Sequence, residues 1–92
     1  MAIFTVRVEL RGANWETYEK LHNQMRLAGF SKEVTGYDGV SYQLPDAEYV
    51  AEKNFTIERV RDEVINIARS LNHDPGVLVS ETTQWSWLLK KA

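Results

Sequence analysis

Three features of the 92-residue chain predict an α+β sandwich, two helices over one face of a four-stranded antiparallel sheet. The chain opens on a strictly alternating strand, carries two amphipathic helical stripes, and places a hairpin signal between them. The resulting order, β-α-β-β-α-β, has its simplest solution in the ferredoxin-like arrangement, because both stripes must bury against the same layer. The other sheet face is then open.

From Ile3 to Leu10, Phe4, Val6, Val8 and Leu10 alternate with Thr5, Arg7 and Glu9, the period of a strand with one buried face. Arg11-Gly12-Ala13 breaks it and Asn14 stands as an N-cap. Trp15, Tyr18, Leu21, Met25 and Ala28 then recur at spacings of three and four up to Gly29, a helix stop. Phe30 to Thr35 is short and mixed. Gly36-Tyr37-Asp38-Gly39 signals a turn before Val40, Tyr42 and Leu44 alternate with Ser41 and Gln43, giving a hairpin. Pro45-Asp46 interrupts that second arm, and Ala47 to Asn54 either resumes it past a bulge or leads to the next helix.

Thr56 caps a second helix whose stripe is Ile57, Val60, Val64, Ile67, Ala68 and Leu71. Asn72-His73-Asp74-Pro75-Gly76 stops it, and Val77 to Thr82 is a last strand. Residues 84–92 form a tail with Trp85, Trp87 and Leu89 at alternate positions, as a strand edge or a helical turn. No linker divides the chain, so residues 1–92 are expected to form one domain.

Composition narrows the function classes. Eleven Lys+Arg against 13 Asp+Glu leave a net charge of −2, which disfavours a resident of duplex nucleic acid. Without cysteine there is no disulfide, thiolate nucleophile or cysteine-based metal site. The start lacks the uninterrupted apolar stretch of a secretory signal and nothing approaches a membrane-spanning run, so a cytoplasmic protein without membrane attachment is the expectation.

Among chemistries, metal hydrolysis has no support: the two histidines, His22 and His73, lie far apart with no paired ligand motif, and neither a metal nor another cofactor is expected. His73-Asp74-Pro75-Gly76 has the composition of a tight turn. Serines are scattered outside any nucleophile elbow. Metal-free RNA cleavage asks for less, since the 2′-hydroxyl is the nucleophile and the protein supplies an acid/base pair and a cation for the phosphate. His22 and Arg26, at i and i+4, share a helix face where an imidazole and a phosphate-binding cation would stand together. Arg11, before the first helix, makes an anion-binding corner with the exposed N–H groups there.

The outward sheet positions Thr5, Arg7, Glu9, Ser41 and Gln43 carry no aromatic side chain, which disfavours base stacking on the open sheet face. Phe4, Tyr18, Phe30 and Tyr42 fall at inward positions and are assigned to the core. Trp85 and Trp87 are costly to leave in water; they cover the open face or meet a partner.

The opening strand, Met25-Arg26-Leu27-Ala28-Gly29-Phe30-Ser31 at the end of the first helix, Val34, the arm Gly39-Val40-Ser41-Tyr42-Gln43-Leu44-Pro45, Tyr49, and the helix from Ile57 to Leu71 together resemble the GhoS-like family of type V toxin–antitoxin antitoxins. The resemblance implies a ferredoxin-like fold similar to the CRISPR Cas2 proteins, and endoribonuclease action on the messenger of a membrane-damaging toxin. It also aligns His22 with a basic helix position where arginine is the expected type, and leaves Glu9 nearest to the aspartate that closes the first strand in Cas2 nucleases.

The expectation is therefore a metal-independent endoribonuclease antitoxin acting on single-stranded messenger RNA, with His22 as catalytic acid/base and Arg11 and Arg26 on RNA phosphates. The alternative is a non-enzymatic interaction module that pairs through Trp85 and Trp87 with a second copy, as a homodimer, or with another protein.

Overall fold

Strand β1 (Ala2–Leu10) is the axis of the fold, hydrogen-bonded antiparallel on one side to β4 (Glu48–Lys53) and on the other to β5 (Pro75–Glu81). The computed structural model describes residues 1–92. Alternation along β1 has the predicted consequence: Phe4, Val6, Val8 and Leu10 are buried, while Arg7 and Glu9 are exposed on the opposite face. On β4 the same period turns Tyr49 and Ala51 inward beside Val6 and Phe4.

Helices α1 (Trp15–Leu27) and α2 (Ile57–Arg69) begin where the sequence predicts, on Asn14 and Thr56, whose side chains accept the Thr17 and Arg59 N–H groups. Each caps a helix start that would otherwise leave donors unpaired. Gly29, at φ 90°, ends α1, its left-handed backbone letting the Gly29 and Phe30 N–H groups return to the carbonyls of Arg26 and Met25. Leu21 and Met25 from α1 join Val60, Val64 and Ala68 from α2 and the inward strand residues in one cluster of 12 buried side chains. Both helices therefore pack on one face of the sheet.

The expected single four-stranded sheet is not formed. Sheet order is β4-β1-β5, and β2 (Glu33–Thr35) with β3 (Ser41–Gln43) makes a separate two-stranded sheet. Only Ser31 bridges toward β4, by two 2.8 Å bonds with Val50, before the chain turns away and Leu44 N–H binds the Lys32 carbonyl. Pro45, which has no N–H to donate, ends the hairpin arm, and the chain reverses through Ala47 into β4. Tyr42 correspondingly lies outside the buried cluster: it stacks at 5.7 Å on Trp87 and donates its hydroxyl to Asp38. Phe4 and Phe30 are core, as expected, and Tyr18 packs against it.

Residues 84–92 contain no helix, and Trp87 packs against Tyr42 of β3. The last three run antiparallel beside β3, with Gln43 N–H bound to the Lys90 carbonyl and Ala92 N–H to that of Ser41. Trp85 meets Trp87 edge to face at 5.8 Å. No helix is long and apolar enough to cross a membrane.

A candidate site around His22 at the junction of two grooves

Trp15, Glu19, His22 and Arg26 succeed one another at spacings of four, three and four along α1. At 3.6 residues per turn they form one stripe, about a quarter turn away from the buried face, rising about 16 Å from the first to the last. The stripe therefore flanks the core and reaches the edge of the sheet, where β4 holds Tyr49.

Tyr49 is 0% exposed, and its hydroxyl has one hydrogen-bond partner, His22 Nδ1, at 2.5 Å. A buried hydroxyl proton needs an acceptor, and Nδ1 is the one within reach. The hydrogen-bond pattern thereby assigns the neutral ring its own proton on Nε2. Burial and a charge contribution from Tyr18 and Glu19 hold the Tyr49 phenol protonated, far above its ordinary range.

The His22 pKa is lowered, first by burial and then by the Lys32 ammonium; Glu19 and Asp46 oppose the shift. Lys32, whose own pKa is lowered chiefly by burial, lies 5.3 Å from the Tyr49 ring centroid and donates to the Pro45 carbonyl at 3.3 Å. At neutral pH the imidazole is thus mainly uncharged, with an N–H left for a ligand.

His22 lines two grooves of opposite character. The smaller, about 380 Å³, also takes in Arg26, Lys32, Glu33 and the Gly29 to Ser31 backbone turn. Neither Arg26 nor Lys32 is engaged in an ion pair. The larger, about 760 Å³, is walled by Trp15, Glu19 and Asp46 and closed by β1 and β5 around Arg7 and Leu78. No three His, Asp or Glu side chains gather closely enough anywhere to hold a metal ion.

Of the residues singled out from sequence, the structure brings His22 and Arg26 together and sets Arg11 apart. Arg11 lies at the opposite end of α1, lines neither groove, and faces Asp74 at 3.4 Å and Glu9 at 3.9 Å. Trp85 and Trp87 stand with the hairpin, away from both grooves. Tyr49, Lys32 and Glu33 escaped the sequence reading: all three join His22 only through the fold, although the alternation Tyr49/Ala51 after Pro45 was a signal for a half-buried strand. No family model matches the chain, and no curated protein matches its sequence.

Proposed function

We propose that the chain is a metal-independent endoribonuclease for single-stranded RNA, with the toxin messenger implied by the family resemblance as its substrate. The observation that carries the reading is one groove lined by an imidazole, two unpaired cations and a carboxylate: His22, Arg26, Lys32 and Glu33. Arg26 and Lys32 bind the phosphate. Glu33 takes the proton of the 2′-hydroxyl, whose oxygen attacks the adjacent phosphorus; as the bond to the 5′-oxygen breaks, His22 in its doubly protonated form gives that oxygen the Nε2 proton and is left as the neutral ring. The products are a 2′,3′-cyclic phosphate and a free 5′-hydroxyl. A ferredoxin-like reading of the fold accompanies it, supported by the order β5-β1-β4 and by the Ser31–Val50 bridge that lays a fourth segment beside β4.

Incubation of the purified protein with mixed single-stranded RNA in excess chelator tests the proposal. Wild type shortens the RNA and His22→Ala does not; intact RNA in the wild-type lane removes the nuclease reading. A second reading, the interaction module, is favoured by two exposed apolar side chains on one tail, Leu88 at 98% and Trp85 at 43%. It requires that sedimentation show an assembly which disappears when the chain is cut after Thr83.

A further inference from the structure

The larger groove has features that phosphate binding alone does not use. Trp15 is 72% exposed on its wall, although a free indole on a helix surface has no role in the core. Glu19, one turn along, and Asp46, across the groove, make neither ion pair nor side-chain hydrogen bond. An indole face beside unpaired carboxylates repels phosphate and suits a flat ring that offers N–H donors. The groove opens at His22, so its occupant would adjoin whatever phosphate the smaller groove holds.

We propose that this groove is a nucleobase site that takes guanine, stacked on Trp15 with its Watson–Crick edge on Glu19. The proposal rests on the RNA-cleaving reading of His22 and adds the base next to the cut. Guanine is the base whose edge carries two adjacent donors, N1–H and the 2-amino group, matching the two oxygens of one carboxylate. Adenine and cytosine offer one amino group beside a ring acceptor, and uracil one N–H between two carbonyls, each of which a carboxylate repels. Spacing agrees: Trp15 and Glu19 are neighbours on the helix face, and His22 follows about 5 Å further along the axis.

The test uses the full chain and four dinucleotides whose first sugar is 2′-deoxy, so that they cannot be cleaved, differing only in the first base. The three indole N–H signals in a proton–nitrogen spectrum are assigned with Trp15→Phe. The guanine dinucleotide moves the Trp15 signal and leaves those of Trp85 and Trp87 in place, and it binds at least about tenfold more tightly than the other three. Trp15→Ala weakens it about tenfold, the loss of one base–aromatic stack, and Glu19→Gln brings guanine down to the level of adenine. Equal response to all four bases, no response at Trp15, or a larger response to arginine amide than to guanine overturns the base site, the last marking a basic-peptide groove instead. Chelator digests of RNA on the same preparations separate the two claims: cleavage without base preference removes this site and keeps the nuclease, whereas guanine binding with intact RNA keeps the site and removes the nuclease.

Discussion

The Tyr49 hydroxyl donates to His22 Nδ1 across 2.5 Å, tying β4 to α1 where the two grooves meet. One buried phenol thus decides which ring nitrogen faces a ligand, and it favours the uncharged ring because protonated Nδ1 could no longer accept.

Tyr49→Phe removes that bond without leaving a buried donor unpaired. It is expected to cost about 1 kcal/mol of stability and to mix the two neutral tautomers. Long-range proton–nitrogen spectra read this directly: wild type shows a protonated Nε2 and a bare Nδ1, and the variant shows averaged signals. A wild-type ring protonated on Nδ1 would contradict the assignment.

Cleavage should fall with rising pH. The acid is the doubly protonated His22, and because burial and Lys32 lower its pKa, the falling limb has its midpoint below the ordinary histidine value of about 6.5. Above the midpoint the rate drops about tenfold per pH unit. Lys32→Met removes one of the lowering influences and moves the limb to higher pH; Glu19→Gln, which removes a raising one, moves it lower. A limb that ignores both substitutions assigns the titration to another group. Folding carries the same sign. Unfolded His22 binds a proton more readily than folded His22, so its contribution to stability is full above about 6.5 and shrinks as pH falls toward the folded pKa.

The two arginines at opposite ends of α1, Arg11 in the turn before it and Arg26 in its last turn, have opposite surroundings. Arg26 lines the His22 groove without a carboxylate partner, whereas Arg11 faces Asp74 and Glu9. Arg26→Ala is expected to lower kcat/KM for RNA about tenfold or more, the loss of one charge-assisted contact to phosphate. Arg11→Ala should leave it within about twofold. Equal losses in the two variants would extend the RNA path to the start of α1.

Lys53 supplies a stability test away from the grooves. Its side chain is 14% exposed, and the ammonium donates to the Ala28 carbonyl at 2.7 Å, lies 4.6 Å from the Phe30 ring centroid and sits 3.1 Å from Glu63 Oε1. That oxygen is buried and receives no hydrogen bond, so Lys53 neutralises it by charge from an off-line direction. Lys53→Ala strands the carboxylate and frees a helix-end carbonyl, at a cost of about 2 kcal/mol. Adding Glu63→Gln recovers part of the loss; chemical denaturation of the single and double variants measures both, and independent, additive effects would show that the pair is uncoupled.

Legibility in the sequence followed periodicity. The β1 alternation, the α2 stripe and the caps Asn14 and Thr56 are local signals, and each has its structural counterpart. The pairing of the middle strands was not legible because it depends on partners distant in the chain: three-residue strands β2 and β3 leave too short a period to say which sheet they join. His22 and Arg26 could be paired from helical spacing alone. Tyr49, 27 positions beyond His22, could not, since nothing local marks an inward tyrosine as a hydrogen-bond donor to a particular imidazole.

The tail beside β3 has a consequence for how the molecule behaves in company. By occupying the Gln43 N–H and the Ser41 carbonyl it fills bonding positions that a foreign extended segment would otherwise use for templated growth. The long row of unclaimed backbone groups is then on the outer side of β5, which starts at Pro75 and ends at the charged Glu81. A proline and a carboxylate are the usual means by which a protein keeps such a margin from recruiting its neighbours. Proteolytic loss of the last nine residues would therefore add a second sticky border to a surface that otherwise has one, and it would strip Trp87 from the Tyr42 ring that it covers.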